Sequence, residues 1–175
     1  RMEAVADLCA AAALHKKVKV VKGGASRTES VLAAALECDP RAELIAIHDG
    51  ARPLVRPEMI DEMIRAGWQT QAAAPSTPVT DTVKVADDDR WVVSTPDRST
   101  LYAVQTPQVF QANILKAALQ AALASGEPVT DDCAAVERLG KRVWLAEGDA
   151  ENIKITTPVD LVIAEALLRQ REDGR

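Results

Sequence analysis

Cysteine, histidine and aromatic residues are scarce in this 175-residue chain, and each scarcity removes a class of protein. Cys9, Cys38 and Cys133 form no C-x-x-C pair, and only His15 and His48 could join them as ligands. Neither a disulfide framework nor a structural zinc site has the residues it needs. One Phe, one Tyr and three Trp give no alternation of aromatic and basic side chains of the kind that stacks single-stranded nucleic acid. Trp68, Trp91, Trp144, Tyr102 and Phe110 read instead as packing residues of a core or an interface. Positive charge is not in excess: 21 basic against 26 acidic residues leave −5, which argues against a nucleic-acid partner while leaving room for a local basic site. No apolar run approaches the ~20 residues that span a bilayer, and residues 1–14 lack the order of a signal peptide. The expectation is a cytoplasmic protein with no membrane partner.

What is present suits a folded domain. At 47% hydrophobic and 27% charged residues the chain can bury a core, which excludes disorder as its main state, and its length suits a single domain over 1–175. An amphipathic helix is expected over Glu3–Leu14, then a strand over Val18–Val21 ending at Gly23-Gly24. Ser26-Arg27-Thr28-Glu29 follows, with the spacing of a capping box, and opens a helix through Leu36. A second strand, Leu44–Ile47, stops at His48-Asp49-Gly50-Ala51-Arg52-Pro53 and leads to a helix from Pro57 to Gly67. Apolar strands alternating with helices predict an α/β fold whose mostly parallel, Rossmann-like sheet is covered by helices, with ligands bound beyond the strand ends. From Ala72 to Gln105 that alternation breaks. Thr82–Ala86 and Trp91–Ser94, joined by Asp87-Asp88-Asp89-Arg90, read as a hairpin too small to bury both faces. We therefore expect a protruding arm over 78–98 that packs on a second subunit. Helices are expected over Gln111–Ser125 and Asp131–Leu139, extended chain over Val143–Glu147 and Ile153–Ile155, and a last helix from Thr157-Pro158 to about Arg171.

Several residues carry chemistry of the right type, each beside a plainer reading. Asp49, at the end of a buried strand, could hold a divalent metal or a sugar hydroxyl, or cap local amides. Arg52 could bind phosphate bidentately or pair with Asp49 at the surface. Gly23-Gly24 before a helix brings amides toward a base or phosphate, although it matches neither G-x-G-x-x-G nor the P-loop. Thr130-Asp131-Asp132 is an N-cap or offers the Thr130 hydroxyl to a ligand. Lys154 snorkels or meets an anion. Cys133 reads as a small buried residue, and neither histidine gains a catalytic role, because no Ser or Cys nucleophile motif is present.

Six segments, taken in order from Val21 to about Leu168, together resemble the 2-C-methyl-D-erythritol 4-phosphate cytidylyltransferase family of the non-mevalonate isoprenoid pathway. They are Gly23–Val31 (GGASRTESV), His48–Pro53 (HDGARP), Pro78–Lys84 (PVTDTVK), Gln105–Phe110 (QTPQVF), Thr130–Asp132 (TDD), and Glu147-Gly148 with Asn152–Leu161 (NIKITTPVDL). The resemblance implies a nucleotide-diphospho-sugar transferase type of fold and transfer of CMP from CTP to methylerythritol phosphate, with magnesium. By it, Gly24 and Ser30 face the cytosine and ribose, with Arg27 supporting their loop, and Asp49 lies by the triphosphate and its metal. Arg52, Thr106 and Thr130 meet the sugar phosphate, and Lys154 sits between the two substrates. Thr82 and Arg98, on the arm, reach the sugar phosphate of the partner in a homodimer. The family's opening Gly-rich CTP loop, of the kind G-x-G-x-R-M-G, has no counterpart in the sequence, so the domain is expected to be N-terminally incomplete. Two alternatives stay open: a cytidylyltransferase for another polyol phosphate, and a non-catalytic piece that folds and dimerises.

Overall fold

The computed structural model describes residues 2–12 and 14–174. Its helices are α1 (Met2–Ala11), α2 (Arg27–Leu36), α3 (Pro57–Thr70), α4 (Ala112–Ser125), α5 (Asp132–Arg138) and α6 (Pro158–Asp173). Its strands are β1 (Leu44–Ile47), β2 (Ala72–Pro78), β3 (Val85–Ala86), β4 (Val92–Ser94), β5 (Tyr102–Val104), β6 (Gln108–Gln111) and β7 (Trp144–Glu147), with a 3-10 turn at Arg98–Thr100. The chain forms two compact units, one of Arg1–Ile45 and Gln111–Arg142, the other of Ala46–Phe110 and Val143–Arg175.

In the first unit α4 packs against α2 and α5 and buries Ile114, Leu115, Ala118 and Leu119, the stripe that a 3.6-residue period places on one face. α2 begins where the sequence predicts. Ser26 Oγ accepts from the Glu29 N–H at 3.1 Å, and the Glu29 carboxylate turns back to accept from the Ala25 N–H at 2.5 Å. α5 begins at Asp131, whose carboxylate accepts from the Ala134 N–H at 2.8 Å; the cap falls on Asp131 and leaves Thr130 exposed. Cys133 is buried, and burial pushes its thiol well above its ordinary range. The helix expected over Glu3–Leu14 is the shorter α1, and position 13 of that stretch lies outside the described residues.

The second unit is built around β2. The five-stranded sheet follows the path β1-β6-β2-β5, with β7 also on β2. β7 runs parallel to β2 over Ala73–Ser76, while β5 and β6 run antiparallel to it. Since β7 fills one edge of β2 across those residues, β6 and β5 share the other. Ala73 faces Val109 and Ser76 faces Val104, so three steps along β2 answer to five on the opposite side. The excess is taken up at Gln105-Thr106-Pro107, where Gln105 still donates its N–H to the Pro75 carbonyl at 2.7 Å and Thr106-Pro107 leaves the ladder. α3 packs on β2 and β7, turning Met59, Met63 and Gly67 inward against a core that includes Val109 and Phe110.

The α/β fold agrees with expectation, though the ladders on β2 are mixed. One expected strand is absent: Val18–Val21 is apolar but joins no ladder, because an apolar run makes a strand only where a neighbour supplies hydrogen bonds; Ile153–Ile155, expected as extended chain, likewise joins no ladder. Conversely, β2, β5 and β6 lie in stretches that the pattern leaves unassigned. Ala72-Ala73-Ala74-Pro75 has little β-propensity, and burial decides its conformation. Phe110 is the aromatic that packs in the core; Trp68, Trp91, Trp144 and Tyr102 are exposed. The hairpin forms as β3 and β4, shorter than expected, with Val85 opposite Ser94 and Ala86 opposite Val92. Asp87 closes its tip, accepting the Trp91 N–H on its carboxylate and the Arg90 N–H on its carbonyl. No helix among the described residues is long and apolar enough to cross a membrane.

Candidate active site

In the first unit the loop before α2 brings Gly24 and Ser30 together. The Gly24 N–H donates to Ser30 Oγ at 3.1 Å, and Ser30 Oγ donates to the Ser26 carbonyl at 2.8 Å. A Cβ on Gly24 would stand 2.3 Å from Glu29 Cβ, so the folded-back Glu29 that caps the helix requires glycine there. Arg27 reaches across to α5, where its Nη2 donates to Asp132 Oδ2 at 2.7 Å. Asp132 is 1% exposed, and a buried carboxylate needs such a partner. Thr130 lies two residues before it, exposed. Arg27 thus ties the loop to the helix opposite.

The second unit gathers Asp49, Arg52, Thr106 and Lys154. Asp49 Oδ2 lies 3.0 Å from Lys154 Nζ and 3.7 Å from Arg52 Nε, so one carboxylate stands between two cations. Arg52 is no surface pair: its side chain is 11% exposed, and its Nη1 donates to the Asn152 carbonyl at 2.7 Å. Burial pulls its guanidinium below the ordinary arginine range, with the Asp49 charge opposing. Thr106 is 4% exposed; its hydroxyl accepts the Asp49 N–H at 3.0 Å and bonds His48 Nδ1 at 2.9 Å.

Residues outside the sequence-based selection hold this arrangement. Asn152, fully buried, donates from Nδ2 to the Thr106 carbonyl at 2.8 Å. The Gln105 amide bonds Asp149 in both directions, Nε2 to the carbonyl at 2.9 Å and the Asp149 N–H to Oε1 at 3.3 Å. Gly148 sits where a Cβ would lie 2.8 Å from both Gln105 Oε1 and the Ser76 carbonyl, so only glycine lets β2 and this loop approach. Glu151 accepts from Arg56 at 2.5 Å and from Arg171 Nε at 3.0 Å; these two cations hold its carboxyl below the ordinary value. His48, Gln105, Gly148 and Asn152 all stand inside the motifs, but nothing local to them tells a strut from a ligand.

Thr82 and Arg98 belong to the arm and are exposed. Arg98 Nη1 donates to the Thr80 carbonyl at 2.6 Å, which anchors the chain at the base of the hairpin. No cluster of three or more metal-ligating side chains occurs among the described residues. Asp49 is one carboxylate with a cation on either side, a donor set that suits magnesium only when phosphate oxygens and water complete its shell.

The family described as 2-C-methyl-D-erythritol 4-phosphate cytidylyltransferase matches the chain over residues 1–170. A protein of that name from Caldanaerobacter subterraneus subsp. tengcongensis is 51% identical over 156 residues, covering 89% of this chain and 69% of the relative. One from Desulforamulus reducens is 47% identical over 157 residues, covering 90% and 67%. Among solved structures, the 4-diphosphocytidyl-2C-methyl-D-erythritol synthase of Anaerococcus prevotii superposes with a TM-score of 0.86 at 34% identity, covering 95% of this chain and 76% of the other. The 2-C-methyl-D-erythritol 4-phosphate cytidylyltransferase of Thermus thermophilus gives 0.77 at 34% identity, covering 90% and 78%.

Proposed function

We infer the function from one premise: the chain belongs to the 2-C-methyl-D-erythritol 4-phosphate cytidylyltransferase family. It is a CTP-dependent nucleotidyltransferase of isoprenoid precursor biosynthesis, which joins CMP from CTP to 2-C-methyl-D-erythritol 4-phosphate and releases pyrophosphate. A phosphate oxygen of the acceptor bonds to the α-phosphorus of CTP as the α–β bridging P–O bond breaks, and the electron pair leaves on pyrophosphate. The acceptor phosphate is largely dianionic near neutral pH because its second pKa is about 6, so the step needs no general base. It needs charge cancellation and in-line placement of nucleophile and leaving group.

The observation that carries the assignment of roles is the Asp49 carboxylate held between Lys154 and Arg52. In our reading Lys154, already aimed at an anion, neutralises charge that develops between the substrates. Arg52 binds the acceptor phosphate, and Thr106, whose hydroxyl accepts the Asp49 N–H and bonds His48, helps to hold the turn that carries it. Asp49 keeps both cations in place and, with the triphosphate, would hold a magnesium ion, whose chemistry when bound is further neutralisation of the phosphates. Gly24 and Ser30 supply backbone and hydroxyl contacts to the nucleoside, with Arg27 fixing their loop. The exposed arm, with Trp91 75% and Val93 66% accessible, supports a homodimer in which Thr82 and Arg98 serve the partner's sugar phosphate. A cytoplasmic location accords with these water-borne substrates. Asp49→Asn tests the roles: pyrophosphate release should become negligible at any magnesium concentration while the unfolding midpoint holds, whereas wild-type rates would remove Asp49 from the site.

A further inference from the structure

The turn Asp49-Gly50-Ala51-Arg52 is tied by four hydrogen bonds to its backbone, and one of them comes from a histidine that no role explains. The Arg52 N–H donates to the Asp49 carbonyl at 2.9 Å, and the Ala51 carbonyl accepts the Ile155 N–H at 2.8 Å. The Asp49 N–H donates to Thr106 Oγ1. The Arg52 carbonyl faces His48 Nε2 at 3.0 Å, and His48 Nδ1 returns to the same Thr106 hydroxyl at 2.9 Å. The imidazole therefore closes a ring around the turn that aims both Asp49 and Arg52.

Counting hydrogens assigns the ring's direction. A carbonyl only accepts, so Nε2 carries a hydrogen. The Thr106 hydroxyl has one hydrogen to give; one lone pair is occupied by the Asp49 N–H, and in a neutral imidazole Nδ1 is the acceptor that takes the hydrogen. Each donor then meets one acceptor, and Thr106, 4% exposed, keeps no hydrogen for a ligand. We propose that His48, donating from Nε2 to the Arg52 carbonyl, is a positioning residue of the transfer reaction. With Thr106 as its partner it locks the Asp49–Arg52 turn so that carboxylate and guanidinium meet the substrates without reorganising. The inference rests on the cytidylyltransferase reading for its consequence, but not for the tautomer.

Nitrogen NMR of the chain labelled in its histidines separates the two. The chain has two histidines, so His15→Gln assigns the spectrum. At pH ~7.5 His48 should show an unprotonated Nδ1 and a protonated Nε2, and Thr106→Val should return its ring to a mixture of tautomers. A ring protonated on Nδ1 alone in the unsubstituted chain, leaving Nε2 without a hydrogen for the Arg52 carbonyl, overturns the proposal. Pyrophosphate release then reads the coupling. His48→Ala and Thr106→Val should each lower kcat/KM about tenfold, and the double variant should lose about tenfold as well rather than about a hundredfold, because either change opens the same ring. Thr106→Ser, which keeps the hydroxyl, should stay within about twofold. Additive losses, or a Thr106→Ser as slow as Thr106→Val, would count against the ring. Absence of turnover in the unsubstituted protein would count against the transfer reaction and leave the spectrum to judge the tautomer.

Discussion

The loops that hold Asp49 and Lys154 and the hairpin of β3 and β4 belong to the same unit and treat solvent in opposite ways. In the loops, Asn152 and Thr106 are buried, and Arg52 is nearly so, each spent on partners far along the chain. In the hairpin every side chain from Val85 to Ser94 is exposed, including Trp91, Val92 and Val93. The loops present charge on a rigid frame that needs nothing more to be in place. The hairpin presents apolar area, which a stable fold leaves uncovered only at a cost of about 25 cal/mol per Å². The difference teaches that aiming and assembling are separate tasks in this unit, and each can be disturbed alone.

The largest expected effect falls on aiming. Lys154→Met should lower turnover by roughly 10²–10³-fold, the order seen when one charge-stabilising group is removed. Its side chain is half-exposed, so the thermal midpoint should hold; a parallel loss of stability would make Lys154 a strut and blur the comparison. Next comes assembly. Arg52→Ala and Arg98→Ala should each be slow alone, and mixing the two after verified subunit exchange should restore about a quarter of wild-type activity, since about half of the dimers carry one intact site of two. No recovery would place Arg98 in its own subunit's site or in none.

Smaller effects follow on stability. Asn152→Ala removes the amide that holds the Thr106 carbonyl inside the unit and should cost about 1–3 kcal/mol in denaturant unfolding, whereas Val93→Thr on the arm should stay within about 0.5 kcal/mol for the monomer. Equal costs would erase the contrast. The least effect concerns acid. Glu151 is held below its ordinary value, near 4.5, by Arg56 and Arg171. Its contribution is present above that value and is lost as pH falls through the lower folded one. Glu151→Gln should therefore narrow the stability gap between about pH 6 and pH 3, and an unchanged acid profile would show that the two arginines hold the loop without it.

Particular residues show how much was legible. Ser26 and Glu29 announce α2 because capping is local: the donor and its acceptor are three residues apart. Thr157-Pro158 opens α6 for the same reason, with Asp160 accepting the Thr157 N–H. Asp49, Arg52 and Lys154 stand out as charges in apolar surroundings. β2 was hidden, because Ala72–Pro78 owes its strand to burial between β7 on one edge and β5 and β6 on the other. Thr130 shows the reverse, a cap residue by position displaced when Asp131 took the bond.

Composition, local pattern and motif order alone determined the α/β class, the capped helices, the polar-tipped hairpin and the family. Tertiary structure alone decided the mixed ladders on β2, the two cations on one carboxylate, and the roles of His48, Asn152 and Gln105. The physical reason is range: caps and turns are settled between residues a few positions apart, while Thr106 finds His48 and Asn152 finds Thr106 only across about fifty intervening residues, a loop that must close before either bond can form.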